Sequence, residues 1–256
     1  MSQVVGLWNI RGFRKYYLLS ILSYFGSGIS VVAMPYAIYE KTLSPIYTSL
    51  ASVMTSLPYL LFGLLAGALA DRGNRKRIMI GCDLFSAAAL ASVPLAAAVL
   101  GEVSALHLLA VALAASTAFV GFDSASHGAL LQLVGRERLV AANSALIAAD
   151  AVIRIASPVA AGILISSFGA EWAIAATACC YLTAAGLVHS IKGPFQSVRQ
   201  PAGAKPAAGA ERPAPPLRRL REDIAIGLSY IWSQPLIRSL TLVGFGNSFV
   251  GEPPPG

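Results

Sequence analysis

The chain has 256 residues, 56% of them hydrophobic and only 12% charged, with a mean hydropathy of +0.66. A soluble domain carries about 25% charged residues, so there are too few solvating groups here to cover a water-facing surface, and the chain reads as an integral membrane protein. A net charge of +7 would suit nucleic acid, but the cations flank apolar runs instead of forming a binding face, which excludes nucleic acid as a partner.

A membrane span takes about 20 residues, so the length leaves room for six or seven helices. The first apolar run, Tyr16–Tyr39, follows Arg11, Arg14 and Lys15 and is too long for a signal peptide; it reads as a retained first helix. Ser23, Gly26, Ser27 and Ser30 recur on it at three- and four-residue spacing, a small-residue face suited to close helix contact or to a cleft. Pro35 is expected to kink its outer end. A second helix is expected over Tyr47–Ala70 and a third over Ile78–Leu100. The fourth runs from Leu106 through Gly121–Gly128 toward a loop at Gly135–Arg138. The fifth is Ala141–Phe168 and the sixth Trp172–Ile191.

Residues 1–191 are thus expected to form a six-helix transmembrane bundle. Residues 192–216, rich in Pro, Ala, Gly and Gln, read as a flexible cytoplasmic linker. Over 217–233, Leu217, Leu220, Ile224, Leu228 and Ile231 fall at helical spacing with Arg218, Arg219, Arg221, Glu222 and Asp223 opposite. That is an amphipathic cytoplasmic helix of the kind that lies on a membrane surface. The apolar run 237–250 is shorter than a span and is followed by a triple proline, which cannot continue a helix; it is expected to be the start of an incomplete seventh transmembrane helix.

With the N-terminus in the cytoplasm, all but two of the 19 Lys and Arg fall on the cytoplasmic side, the exceptions being Lys41 outside and Arg154 within the membrane. The positive-inside rule therefore sets the orientation. The three cysteines, Cys82, Cys179 and Cys180, show no spacing with His that fits zinc and read as small core residues. No cofactor is implied. Nor does any convergent nucleophile, base or metal set suggest an enzyme.

The stretch Gly67-Ala-Leu69-Ala-Asp71-Arg72-Gly73-Asn74-Arg75-Lys76-Arg77 separates the second and third apolar runs. Gly67 and Asp71 share a helix face, where a Gly permits a second backbone to come close. Asp71 ends its helix, where the macrodipole disfavours an anion by about 0.3–1 kcal/mol, so a positive partner from outside is expected. Gly67, Leu69, Asp71, Arg72, Arg75 and Lys76 resemble the loop between helices 2 and 3 of the major facilitator superfamily, with Gly73 and Asn74 in swapped order. The resemblance implies a cytoplasmic gate whose Asp meets a helix N-terminus in the opposite half of the transporter.

An ionisable group inside a membrane costs roughly 2.5–3.5 kcal/mol on insertion scales, so each needs a reason. Asp83, one turn into the third helix, is expected to snorkel toward the headgroups. Asp123 and His127 are four apart and could hydrogen-bond, or could protrude into the cytoplasm. Arg72 or Arg75 is expected within salt-bridge reach of Asp123. Asp150 and Arg154, four apart at mid-depth, form either an ion pair holding two helices together or a polar patch on a water-filled cavity.

Ser157-Pro158-Val-Ala-Ala161-Gly162 resembles the helix 5 motif of the superfamily's antiporter branches, with Ser157 and Ala161 in place of glycines. Residues 122–143 resemble the branch of enterobactin exporters and macrolide-type efflux pumps. The family implies an all-α fold, a six-helix N-terminal bundle of two inverted three-helix units plus the start of a seventh helix. It also implies an inner-membrane location and proton-coupled efflux of a small organic molecule such as a drug or siderophore. The partners would be that substrate, protons, membrane lipid and a C-terminal six-helix half. On this reading the chain alone is inactive; the alternative is a non-transporting binding or regulatory half-protein.

Overall fold

The computed structural model describes residues 6–191 and two short pieces, 232–234 and 238–239, which lie in a separate unit, Ala202–Gly256. The expected linker (192–216), amphipathic helix (217–233) and seventh helix (237–250) otherwise lie outside the described residues. Six long helices follow in order: α1 Arg11–Thr42, α2 Pro45–Arg72, α3 Arg75–Leu100, α4 Ala105–Val134, α5 Leu139–Phe168 and α6 Ala170–Ser190. A 3₁₀ turn, Arg136–Arg138, precedes α5. All six are long and apolar enough to cross a membrane.

The helices overrun the expected apolar cores, because a helix continues through the flanking charged residues at no cost once it leaves the hydrocarbon. Glu40 and Lys41, past the expected end at Tyr39, are for example inside α1. Their ends are set by short local devices. Pro45 opens α2 at its first position, where its missing N–H is harmless. Ser104 accepts from the His107 N–H at 3.2 Å and caps α4. Gly101, Gly135 and Gly169 take positive φ between helices, and Gly169 alone joins α5 to α6.

The swapped Gly73-Asn74 pair has a physical reason. Gly73 donates to Leu69 O at 2.8 Å and closes α2, and a Cβ there would sit 2.7 Å from Ile78 Cδ1 and 2.9 Å from Leu69 O. Asn74 Oδ1 accepts from the Arg77 N–H at 3.2 Å and starts α3, as an N-cap residue should. Two helices are therefore joined by two residues, each suited to its own end.

In the bundle α1 packs on α6 and α5, α3 on α6 and α4, and α2 on α4. Exchanging α1–α3 with α4–α6 turns the α1/α6 pair into α4/α3 and the α1/α5 pair into α4/α2, and leaves α3/α6 in place. Each triplet makes an odd number of crossings, so the exchange also inverts direction, which is the inverted-repeat arrangement. Small residues allow the close approaches. A Cβ on Gly26 would sit 3.1 Å from Cys180 Cβ on α6, and one on Gly28 would collide with Ser157 on α5. The small-residue face of α1 is therefore divided. Ser23 and Gly26 are buried against neighbours, and only Ser27 and Ser30 reach a cavity. Large apolar side chains such as Leu60, Leu64, Val99 and Ile155 point outward, as lipid contact requires.

Candidate functional site

A cavity of about 510 Å³ is walled by α1, α2, α4 and α5. Asp123, His127, Asp150 and Arg154 all line it, so four of the five intramembrane ionisable residues singled out from the sequence converge on one space. Arg154 Nε donates to Asp150 Oδ2 at 2.8 Å. This pair lies within α5 and does not link two helices; its guanidinium side chain is 78% exposed, which leaves it free to meet a ligand. No hydrogen bond joins Asp123 to His127. Asp123 Oδ1 instead accepts from the Tyr24 hydroxyl at 2.7 Å, while the Tyr16 hydroxyl donates to Ser126 O at 2.8 Å. Two tyrosines eight residues apart on α1 thus brace one face of α4.

The expected pairing of Asp123 with the 72–77 loop is not what forms. Arg75, 12% exposed, is held by Asp71 Oδ1 (3.0 Å), Ala70 O (3.3 Å) and Gly128 O (3.0 Å). It reaches α4, but about one turn beyond Asp123, at a carbonyl that glycine leaves uncovered: a Cβ on Gly128 would collide with the guanidinium. Tyr24 takes the carboxylate because it approaches from inside the bundle, where a neutral hydroxyl is cheaper to desolvate than a cation. Asp71 therefore finds a cation within its own loop, at i+4, while its side chain stays 77% exposed.

Lys76 turns the other way. Its Nζ donates to His189 O (2.8 Å) and Ile191 O (2.9 Å) at the end of α6, and Lys15 Nζ donates to Ser190 O (3.2 Å) and Oγ (3.1 Å). The last carbonyls of a helix lack intrahelical donors and carry the negative end of its dipole; two cations satisfy both needs. Leu69 and Arg72 are exposed, and a Cβ on Gly67 would meet nothing within 4 Å. The close backbone approach expected at Gly67 does not occur within this bundle.

In the α5 motif, Ser157 and Ala161 are buried, Pro158 lines the cavity and Gly162 faces open space. Ser157 donates to Ile153 O at 2.7 Å and sits against Gly28, so the α1/α5 contact places its glycine on α1. A second cavity, about 500 Å³, adjoins the first and shares Ser27, Val31, Tyr59 and Phe119 with it. Its polar lining is hydroxyl-bearing: Ser27, Ser30, Thr55, Ser56, Ser116, Tyr59 and Tyr181. The Phe119 ring meets Tyr24 edge-on at 5.6 Å and Tyr59 at 6.5 Å, an aromatic collar between the two spaces. Sequence reading passed over these aromatics, although Tyr16 and Tyr24 repeat at two helical turns.

Asp83 departs most from expectation. It does not snorkel: it is 1% exposed, and its nearest hydrogen-bonding group is the Ser23 hydroxyl at 3.5 Å. Among the described residues no group of three or more His, Cys, Asp or Glu could hold a metal ion.

The family model described as Major Facilitator Superfamily matches residues 16–251. The chain is 30% identical over 228 residues to the multidrug efflux pump Tap of Mycolicibacterium fortuitum, covering 85% of this chain and 51% of that protein. It is 28% identical over 223 residues to Tap of Mycobacterium tuberculosis strain H37Rv, covering 85% and 50%. It is 40% identical over 82 residues to macrolide efflux protein A of Streptococcus pyogenes, covering 32% and 20%. The chain thus spans about half the length of the Tap relatives it matches. No solved structure matches it. Six inverted-repeat helices, the loop at Gly67–Arg77 and a family match over most of the sequence lead to one conclusion: this multi-pass membrane chain belongs to the Major Facilitator Superfamily.

Proposed function

We propose that the chain is one of the two six-helix bundles of a proton-coupled exporter of small organic molecules, with the cavity beside Asp150 as its share of the substrate path. The observation that carries this reading is the convergence of Asp123, His127, Asp150 and Arg154 with three tyrosines on one space inside the bundle. Two carboxylates, an imidazole and a guanidinium can bind a charged or polar group and pass protons. Intramembrane ionisable residues facing a cavity are a mark of such paths. The names of the relatives, a multidrug pump and a macrolide efflux protein, favour export of an organic molecule. The family is one of transporters, and an enzymatic reading falls with it.

In this reading Asp150 or Asp123 takes up the coupling proton and so biases the bundle toward one facing state. Gly67, Leu69, Asp71 and Arg72 offer an outward surface for a second bundle, while Arg75 and Lys76 fix that surface to the helices behind it. The substrate then sits between two bundles that rock about it. The N-terminus lies in the cytoplasm, at the inner membrane.

The test is made in cells lacking their own efflux pumps. In a background with the native cysteines replaced by alanine, Leu43→Cys should react with an impermeant thiol reagent in intact cells. Arg77→Cys should react only after the cells are opened; the reverse pattern overturns the orientation. The inserted chain alone should leave dye and macrolide accumulation unchanged, and energy-dependent export by it would overturn the two-bundle requirement. In the assembled transporter, Asp150→Asn should abolish proton-driven export without loss of insertion. Export at the parent rate removes Asp150 from the mechanism.

A further inference from the structure

Asp83 lines neither cavity. It is enclosed where α3 meets α1 and α6, and Oδ2 has no hydrogen-bond partner. Among the described residues the carboxyl group's one hydrogen-bond partner is the Ser23 hydroxyl of α1, which donates to Oδ1 at 3.5 Å. Cys82 lies beside it on its own helix, with Gly121 of α4 close against the sulfur. Among the described residues Asp83 takes part in no ion pair. Removing a partner from a buried charge, or burying one without a partner, costs several kcal/mol, and in a membrane interior no water is at hand to offset it. A carboxyl group kept in this position must be neutralised by a bound cation. Hard metal ions take six or more oxygens, whereas among the described residues the one side-chain oxygen hydrogen-bonded to the carboxyl group is that of Ser23. A proton needs none.

We propose that Asp83 is a proton-binding site closed inside the bundle, with the proton on the unpartnered Oδ2 and the Ser23 hydroxyl on Oδ1. The site differs from Asp123 and Asp150, which open directly on the first cavity. The proposal concerns proton binding and stands whether or not the chain exports anything.

The experiment is infrared difference spectroscopy, acid minus alkaline, on the full chain in lipid bilayers. One carbonyl-stretch band of a protonated carboxyl group should shift when aspartate is isotope-labelled. It should persist in Asp123→Asn and Asp150→Asn and vanish in Asp83→Asn. Ser23→Ala, which keeps the acid, should shift the frequency of that band, and this variant serves if Asp83→Asn does not fold. A spectrum unchanged by both Asp83→Asn and Ser23→Ala overturns the site.

Discussion

The two ends of the bundle are closed by different physics. At the end that carries Arg72–Arg77, three cations are spent on backbone carbonyls: Arg75 on Ala70 and Gly128, Lys76 on His189 and Ile191, Lys15 on Ser190. Each joins helices distant in sequence. At the opposite end the helices are joined by brief turns at Leu43-Ser44, Gly101–Ser104 and Gly169, and the cross-helix ion pair there is Lys41 to Glu171, 3.5 Å apart with both side chains 37% exposed. Connections are short at both ends; the difference is that one end is locked by three cations set on backbone carbonyls, the other, among the described residues, by one half-exposed ion pair. The first kind of closure ties the 72–77 loop to the helices behind it, which is what the proposed rocking of two bundles would require of a gate loop.

The substitution expected to have the largest effect is Gly128→Val. Its side chain takes the space of the Arg75 guanidinium, so hydrogen bonds from a largely buried cation are lost; each such bond is worth about 1.5–3 kcal/mol. Thermal unfolding of the purified protein should show a loss of that size or more. A variant as stable as the parent would mean that Arg75 has another seat. Next is Lys76→Met, which uncaps the end of α6 and should cost about 1–2 kcal/mol, the range for a partly buried cation at a helix C-terminus. Hydrogen exchange should rise at the amides of residues 187–191, and Lys76→Arg should restore part of the protection. The smallest is Lys41→Met at the opposite end, expected to change stability by less than about 1 kcal/mol because exposed pairs contribute little. A double-mutant cycle with Glu171→Gln that returned a coupling above that range would erase the distinction between the ends.

The fold was largely legible because membrane helices announce themselves by length and hydropathy, and the loop motif announced the family. The convergence of Asp123, His127, Asp150 and Arg154 was legible only in part. Spacing of four put each pair on one face, but which face turned inward was not encoded, since these helices are apolar nearly all round. The same lack of amphipathic contrast hid the burial of Asp83: one turn into a helix is compatible with snorkelling or with enclosure, and the partners that decide come from α1 and α6. The seat of Arg75 was hidden for another reason. It is a backbone carbonyl made accessible by a glycine, and carbonyls have no letter in a sequence.

The pairing of α1 with α6 has a consequence for the order in which the protein is made. The first of the described spans finds its principal neighbour only when the sixth emerges, roughly 150 residues later; at about 5–20 residues per second this is some 8–30 s. Through that interval Ser23, Gly26 and Asp83 lack the surface that finally encloses them, and Lys15 and Lys76 have no α6 terminus to hold. Completion of the sixth span, not insertion of the first, is the event that commits the bundle, and whatever attends the nascent chain in the membrane has that long in which to shield it.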